Sequence, residues 1–437
     1  MNSPSTPALQ AQIAQVSADI ERQKELLKNL ERNKSLLQRQ LNDLRDPIAR
    51  LPLEISSDIF IRCLPTYLGP GSHIPGLFLE ICNGWTEIAL SSPALWARMD
   101  FYLPRPSGFK RLLKLWFQRA GGHPLQLSVT GLMDDDVAAI VWENSSRLER
   151  LEFSAGEKDE TESADSDESD SDSDGIEYWN IWGSGQPQPL PLLQSLHIHG
   201  RGNLELESRP FTQLLRLSPN LSRLILHDVE FDDDADVEAS EQLVLPNLRC
   251  LMFHYDVMTS MSLIQHDMLP FIFAPSLQTL GLIAEGTLHD GQRIKYFLDR
   301  SKPSLEELIL RNAGDADDLY CLLALVPTLT RFELQYPTQD VVEDLFARLA
   351  EPPCGLLPSL QTFTVCLVHH GSTPLPWETT LRLITTRRTR LRKFHVIFYS
   401  DSHVQVPANI LTAFRDISAE GVDIFLGLPG RNLLLLQ

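Results

Sequence analysis

Four histidines are the residues of this chain whose type and placement come nearest to metal chemistry. His197 and His199 stand two apart in the alternating stretch Leu193 to His199, so on a strand they share one face. His227 and His254 occupy similar stretches further on and could meet the first pair on adjacent strands. Neutral imidazole is a common ligand of divalent ions. No carboxylate or cysteine stands at a recognisable ligand spacing beside them, however, so the reading adopted is a polar rim of surface histidines with no metal. Covalent and redox chemistry have less support. The chain contains no G-x-S-x-G, H-E-x-x-H, G-x-x-x-x-G-K-[ST] or G-x-G-x-x-G context. Its six cysteines (Cys63, Cys82, Cys250, Cys321, Cys354 and Cys366) form no C-x-x-C pair and no regular framework. They read as small apolar residues in a reducing compartment. The expectation is a protein with no catalytic residue, no metal and no cofactor, placed in cytoplasm or nucleus.

The elements that must position the histidines are repeats. A block of the form Leu-x-x-(Leu/Phe)-x-apolar recurs as RLERLEF at Leu148, LLQSLHI at Leu193, NLSRLIL at Leu221, NLRCLMF at Leu248 and SLQTLGL at Leu277. It continues as SLEELIL at Leu305, TLTRFEL at Leu329, SLQTFTV at Leu360 and RLRKFHV at Leu391. From Leu193 onward, successive leading leucines are 24 to 31 residues apart. Helix-like segments lie between blocks: Arg293 to Arg300, Asp317 to Leu325, Val341 to Leu349 and Leu381 to Arg387. Each unit is a strand plus a helix that cannot bury its apolar side alone, and stacked units share a continuous core. The asparagine that often follows the strand in regular repeats is missing, with Arg201, Val229, Asp256, Glu285 and Ala313 in its place. Variable turns and an irregular curvature follow. Residues beside the inward leucines should line one surface. There Ile225, Met252, Ile283 and Ile309 are expected side by side and exposed, with His254 and Arg311 near them. An exposed apolar stripe with a polar rim marks a protein-binding surface. The alternative is that loops or the C-terminal segment fold over it.

A second signal precedes the repeats. Leu51 to Trp96 reads LPLEISSDIFIRCLP, a Pro/Gly-rich break, then LFLEICNGWTEIALSSPALW. Leu51-Pro52 opens a helix, because proline is tolerated in a first turn. Leu51, Ile55, Ile59 and Phe60 are expected on one stripe at helical spacing. Gly69-Pro70-Gly71 and Pro75-Gly76 read as loop, followed by one apolar helix carrying Leu77, Ile81, Trp85, Ile88 and Ala89. So small a helical unit covers only part of its apolar surface, and the surplus side chains suit protein–protein anchors. The alternative is that they form the core beneath the next domain.

This stretch resembles the F-box, the helical module that docks on a Skp-family adaptor of cullin–RING ubiquitin ligases. Leu51, Pro52, Glu54, Ile59, Phe60, Cys82, Trp85, Leu95 and Trp96 carry the resemblance, in that order. Its long Pro/Gly-rich break is most like that of fungal F-box proteins. The resemblance implies an adaptor-binding set of these residues with Ile55, and the repeats resemble the irregular leucine-rich repeats of F-box substrate receptors.

Before the F-box-like stretch, Leu9, Ile13, Val16, Ile20, Gln23, Leu27, Leu30, Lys34, Leu37, Leu41, Leu44 and Ile48 step by alternating fours and threes, a heptad seam. With Ile13 at an a position, Lys34 also falls at a, where it disfavours higher-order bundles. A parallel homodimer is expected; the alternative is a single helix folding onto its own domain. Pro47 ends the seam. Downstream, a strand near Phe101, a basic helix from Lys110 to Arg119 and a strand at Leu125, Leu127 and Val129 lead into the repeats.

The formal net charge of −20 argues against nucleic acid or an anionic membrane as partner. Eleven acids against one lysine lie between Glu157 and Glu177, about half of that net charge. Gly156 to Gly175 is low complexity and expected to be disordered. Ser163, Ser166, Ser169, Ser171 and Ser173, which precede acids, resemble targets of acidophilic casein-type kinases, with a plain acidic spacer as the alternative. The N-terminus shows no secretory signal, and no apolar run reaches the length of a membrane span.

The chain is therefore expected to be α/β, with a coiled-coil helix over 9–48, a helical F-box over 49–100, and an irregular leucine-rich-repeat solenoid of parallel strands and helices over 101–437, interrupted by the insertion at 156–175. The function expected is that of a non-catalytic substrate receptor of a Skp–cullin–F-box ubiquitin ligase. The F-box would bind the adaptor and through it a cullin, and the repeats would hold an unidentified protein substrate. The alternative is an interaction scaffold that recruits no ligase.

Overall fold

The leading leucines decide where the strands begin. Leu193, Leu221, Leu248, Leu277, Leu329 and Leu360 each close a tight turn, donating the backbone N–H to the carbonyl three residues back. The chain then runs extended, and strand alternation sends the second block position inward. Leu151, Leu196, Leu224, Leu251, Leu280 and Leu308 are accordingly buried, and Phe332, Phe363 and Phe394 take the same place in the last three blocks.

The computed structural model describes residues 6–64, 74–103, 108–155, 177–183, 186–200, 204–231, 242–254, 268–283, 288–351, 355–367, 375–399 and 406–435. The acidic insertion expected at 156–175, the break at Gly69-Pro70-Gly71, and Arg201, Asp256 and Glu285 lie outside these. Two compact units divide the chain: Met1–Phe101 with Arg111–Leu125, and Tyr102–Lys110 with Gln126–Gln437. The fold is mixed α/β, with an N-terminal helix and a large, mostly parallel sheet. Among the described residues no helix is long and apolar enough to cross a membrane.

The first unit opens with α1 (Thr6–Arg45) and a 3-10 turn at Ile48–Arg50, followed by α2 (Leu53–Cys63), α3 (Ile74–Ile81), α4 (Asn83–Leu90) and a second 3-10 turn at Pro93–Trp96. Pro52 is the N-cap residue of α2, Glu54 sits in its first turn and Arg62 in its last, charges that suit the helix dipole. The single helix expected from Leu77 to Ala89 is two. Pro75 and Gly76 lie in the first turn of α3, where the missing proline N–H costs nothing. Cys82 then breaks the run with an extended backbone (φ −158°, ψ 170°), and its sulfur accepts the Trp85 N–H to cap α4. β1 (Arg98–Tyr102) and α5 (Phe109–Arg119) run across the sequence division between the units.

In the second unit β2 (Leu125–Thr130) and α6 (Asp135–Glu143) precede β3 (Leu148–Ser154), β4 (Glu177–Trp179), β5 (Ser195–His199), β6 (Leu204–Leu206), α7 (Ser208–Arg216), β7 (Arg223–His227), β8 (Glu230–Phe231), β9 (Leu243–Val244), β10 (Cys250–His254), β11 (Ile272–Phe273) and β12 (Thr279–Ile283). Strand and helix then alternate: α8 (Leu288–Ser301), β13 (Glu307–Arg311), α9 (Ala316–Ala324), β14 (Arg331–Gln335), α10 (Gln339–Leu349), β15 (Thr362–Leu367), α11 (Trp377–Arg387), β16 (Lys393–Phe398), α12 (Ala408–Ala419), β17 (Asp423–Leu428) and β18 (Arg431–Asn432). The main sheet runs β3-β5-β7-β10-β12-β13-β14-β15-β16-β17, each pair parallel, and β18 turns back antiparallel on β17. Two small sheets, β4-β6-β8 and β9-β11, lie in the crossovers between β3 and β12. From α8 to α12 successive helices pack on one another. Between sheet and helices, Phe332 stacks on Phe363 at 5.5 Å between ring centres, and Phe346 of α10 meets Phe363 and Phe394 edge-on.

The strand ends share a device that lies one residue earlier than the asparagine position inspected in the sequence. Asp228, Asn312 and Tyr336 follow β7, β13 and β14 with left-handed backbone (φ 49°, 56° and 52°). Each gives its N–H to a carbonyl at the end of the next strand: His254, Gln335 and Cys366, all at 2.8 Å. After β5 the equivalent residue is Gly200, bonded to the His227 carbonyl. A Cβ there would lie 2.0 Å from the Asp228 carbonyl oxygen, so only glycine fits.

Candidate functional site

Two groups of residues singled out in the sequence become concrete: the apolar residues of the first unit and the outward face of the main sheet.

In the first unit a ring cluster of Phe60, Phe78 and Trp85 forms the centre, with Phe60 4.4 Å from Phe78 and 4.8 Å from Trp85. Asp46, just past α1, receives the Trp85 indole N–H and the Cys82 thiol, and Asn42 donates to the Ile81 carbonyl at 3.0 Å. Ser56 bonds the Ile48 carbonyl, and Ser57 and Ser92 meet at 2.6 Å. The residues expected to bind an adaptor thereby separate. Phe60, Cys82, Leu95 and Trp96 are buried, and in this fold they hold the helices together. Ile59 and Trp85 are half-buried. Leu51, Pro52, Glu54 and Ile55 are exposed, as are Leu53, Ile61 and Leu77 beside them. Leu51 and Ile55 thus do not share the buried stripe of Phe60. Phe60 instead pairs with Ser56 one turn earlier, which faces the 3-10 turn.

On the main sheet the register fixes what faces what. Glu152, His197, Ile225, Met252, Gly281, Ile309 and Glu333 form one continuous row across β3 to β14. Ile283, expected in this row, lies two residues further along and opposes Arg311. The stripe is also less exposed than expected. Ile225 and Ile309 are half-buried, while Met252 and Ile283 are buried. Part of the reason is Gly281: the Met252 thioether lies across the space a side chain there would fill, with its sulfur 2.7 Å from the missing Cβ position. His254 and Arg311 are half-buried, and the Arg311 guanidinium covers the Tyr336 ring at 4.9 Å. Further along, Arg331 pairs with Glu307 at 3.2 Å and Gln335 donates to Glu333 at 2.6 Å, so this part of the face is tied by cross-strand and same-strand polar contacts. Burial pushes the Cys366 thiol up to about 12, with the Glu333 carboxylate adding to the effect, so the sulfur stays protonated and inert as a nucleophile.

The four histidines form a ladder. His199, His227 and His254 stack at 5.4 and 6.0 Å between ring centres, and His197 lies two residues before His199 on β5. Glu152 is the member that motif spacing did not reveal. It is the Cα partner of His197, and its carboxylate stands 3.7 Å from the His199 Nε2. The signal was present: Glu152 occupies in RLERLEF the block position that His197 occupies in LLQSLHI, and equal block positions pair across strands. Burial is the main force pulling the His197 imidazole down to about 4, with Arg150, His199 and Arg223 reinforcing it. Burial likewise lowers His199 and His254. These rings are neutral near pH 7, with a nitrogen lone pair free on each.

Comparison of the chain with protein-family models and with curated proteins finds no match.

Proposed function

We propose that this chain is the substrate-recognition subunit of a Skp–cullin–F-box ubiquitin ligase. The F-box-like helices bind a Skp-family adaptor, and the strand–helix units, as irregular leucine-rich repeats of a solenoid, hold a target protein. Catalysis is by proximity: adaptor and cullin bring the charged partner enzyme to a lysine of the held target. The observation that carries this reading is the exposed apolar group Leu51, Leu53, Ile55, Ile61 and Leu77, left over once Phe60, Phe78, Trp85, Leu95 and Trp96 have filled the core. Exposed apolar side chains on so small a helical unit suit a partner. They fall in the stretch whose order of residues resembles the F-box.

The test is retention of a purified Skp adaptor by the full-length chain. Replacing Leu51, Leu53 and Ile55 together by alanine is expected to weaken retention more than 30-fold, since one anchor of about 2 kcal/mol already accounts for that factor. The unfolding midpoint should stay nearly constant, because the three side chains are exposed. If the wild type retains no adaptor, the chain is a scaffold without a ligase; if the variant retains it equally, the exposed apolar group is not the docking surface and the reading built on it fails.

The partner of α1 in this proposal is a second copy of the chain. Asn42 and Asp46, at b and f of the heptad, hold the end of α1 against α3 and α4, while the a and d residues Val16, Ile20, Leu27, Leu30, Leu37 and Leu41 stay exposed. Charge matching favours an antiparallel pair over the parallel one expected from the seam. Antiparallel packing sets a against d′. One register then brings Ile20 to Leu37′, Leu27 to Leu30′ and the polar Gln23 to Lys34′, with Lys24 near Glu31′; parallel packing would face Lys34 with Lys34′. Sedimentation of the full chain should give twice its mass, and a chain starting at Pro47 should be monomeric. Mixed Gln23→Cys and Lys34→Cys proteins should cross-link only with each other. Self-cross-linking of each would indicate a parallel pair, and a monomeric full chain would remove the dimer.

A further inference from the structure

We propose that Glu152, His197 and His199 form a binding site for one divalent transition-metal ion such as Zn2+. It is independent of the adaptor reading. One carboxylate oxygen and two imidazole nitrogens from these residues lie within 4.8 Å of one another. The backbone explains the convergence. His197 and His199 are two apart on β5 and project from the same face, and Glu152 lies on β3 in register with His197.

The Glu152–His199 separation suits a shared ion better than direct pairing. Glu152 Oε1 and His199 Nε2 are 3.7 Å apart, beyond a hydrogen bond. Ligands about 2.0–2.1 Å from a tetrahedral ion stand about 3.3 Å from each other, a few tenths of an ångström less. The ligand chemistry agrees: two imidazoles and one carboxylate hold borderline divalent ions and leave a coordination position open to water or to a donor from another molecule. Ser195 Oγ, 3.1 Å from His197 Nε2, steadies the first ring. His227 is the nearest further donor. It pairs with His199 in register, and its Nδ1 lies 3.0 Å from Asp228 Oδ2, which leaves Nε2 as the ring nitrogen not engaged by that carboxylate. The Arg150 guanidinium, 3.6 Å from the other Glu152 oxygen, opposes a second cation and so favours weaker binding than at structural zinc sites.

The experiment titrates the full-length chain, stripped with chelator, with Zn2+ and separately with Co2+. One equivalent should bind, Co2+ should show the intense visible absorption of a four- or five-coordinate ion, and Zn2+ should raise the unfolding midpoint. Glu152→Gln keeps the side-chain shape and should weaken binding about tenfold or more, as should His199→Ala. His395→Ala, on β16 of the same sheet, should bind as the wild type does. The proposal is overturned if the wild type binds no ion, if Glu152→Gln binds as tightly as wild type, or if His395→Ala loses the ion equally. Should His199→Ala fail to fold, Glu152→Gln decides alone.

Discussion

Arg387→Ala is expected to lower the stability of the second unit by about 3–5 kcal/mol, enough to remove much of the margin of a typical domain. Arg387 lies near the C-terminus of α11 and is 4% exposed. Its guanidinium donates to three carbonyls: Leu349 at the end of α10 (2.7 Å), and Leu356 (2.6 Å) and Leu357 (2.8 Å) in the turn before β15, the last of which also accepts the Leu360 N–H. The turn needs that support, because Leu357 is held at a φ of 49°, unfavourable for a branched side chain. Alanine would take the side-chain donor from all three carbonyls, leaving Leu357 only its bond from Leu360, and would leave a cavity. Lysine should recover only a small part, since one ammonium cannot present the planar fork that reaches all three. Chemical denaturation of the full-length chain measures both variants. A loss below about 1 kcal/mol for Arg387→Ala would mean that water takes over the carbonyls and the clamp has no structural weight.

Trp96→Ala should destabilise the first unit by about 3–5 kcal/mol. Trp96 is 1% exposed, its indole N–H donates to the Ala89 carbonyl at 2.8 Å, its ring meets Trp116 edge-on at 4.9 Å, and the Arg119 guanidinium lies 4.5 Å above it. Removing it empties a large volume and takes one of the donors from the Ala89 carbonyl at the end of α4, which keeps its backbone partners. Adaptor binding should fall along with the fold. Cooling or added osmolyte that restores the helical signal should restore binding too. In the exposed triple variant of Leu51, Leu53 and Ile55 the fold should persist and adaptor binding should be lost. If Trp96→Ala left the melting of this unit unchanged yet abolished retention, Trp96 would be a contact residue after all.

These two variants mark where single-chain reading succeeded and where it did not. The block leucines predict their own burial because the information is local: a turn, an extended run and a period of two specify which side chain faces inward. The helices between blocks were legible for the same reason. α10 (Gln339–Leu349) contains the segment read from Val341 to Leu349, and α11 ends at the Arg387 that the pattern indicated. Other failures were also local in origin. A helix period extends smoothly through Cys82, yet an N-cap made by its sulfur divides the run, and a thiol is not a residue from which a cap is ordinarily read.

The sequence by itself determined that this protein is α/β, where its inward residues recur, and that Leu51 to Trp96 holds more apolar side chains than two or three short helices use. Tertiary structure alone decided which of those side chains are spent in the core, because Phe60, Trp85 and Trp96 choose partners far along the chain. It also placed Glu152 beside His197 and His199 and slid Ile283 out of the row it was expected to join. Periodicity is written in consecutive residues, whereas convergence depends on the register between strands, and a shift of two positions changes every neighbour a side chain has.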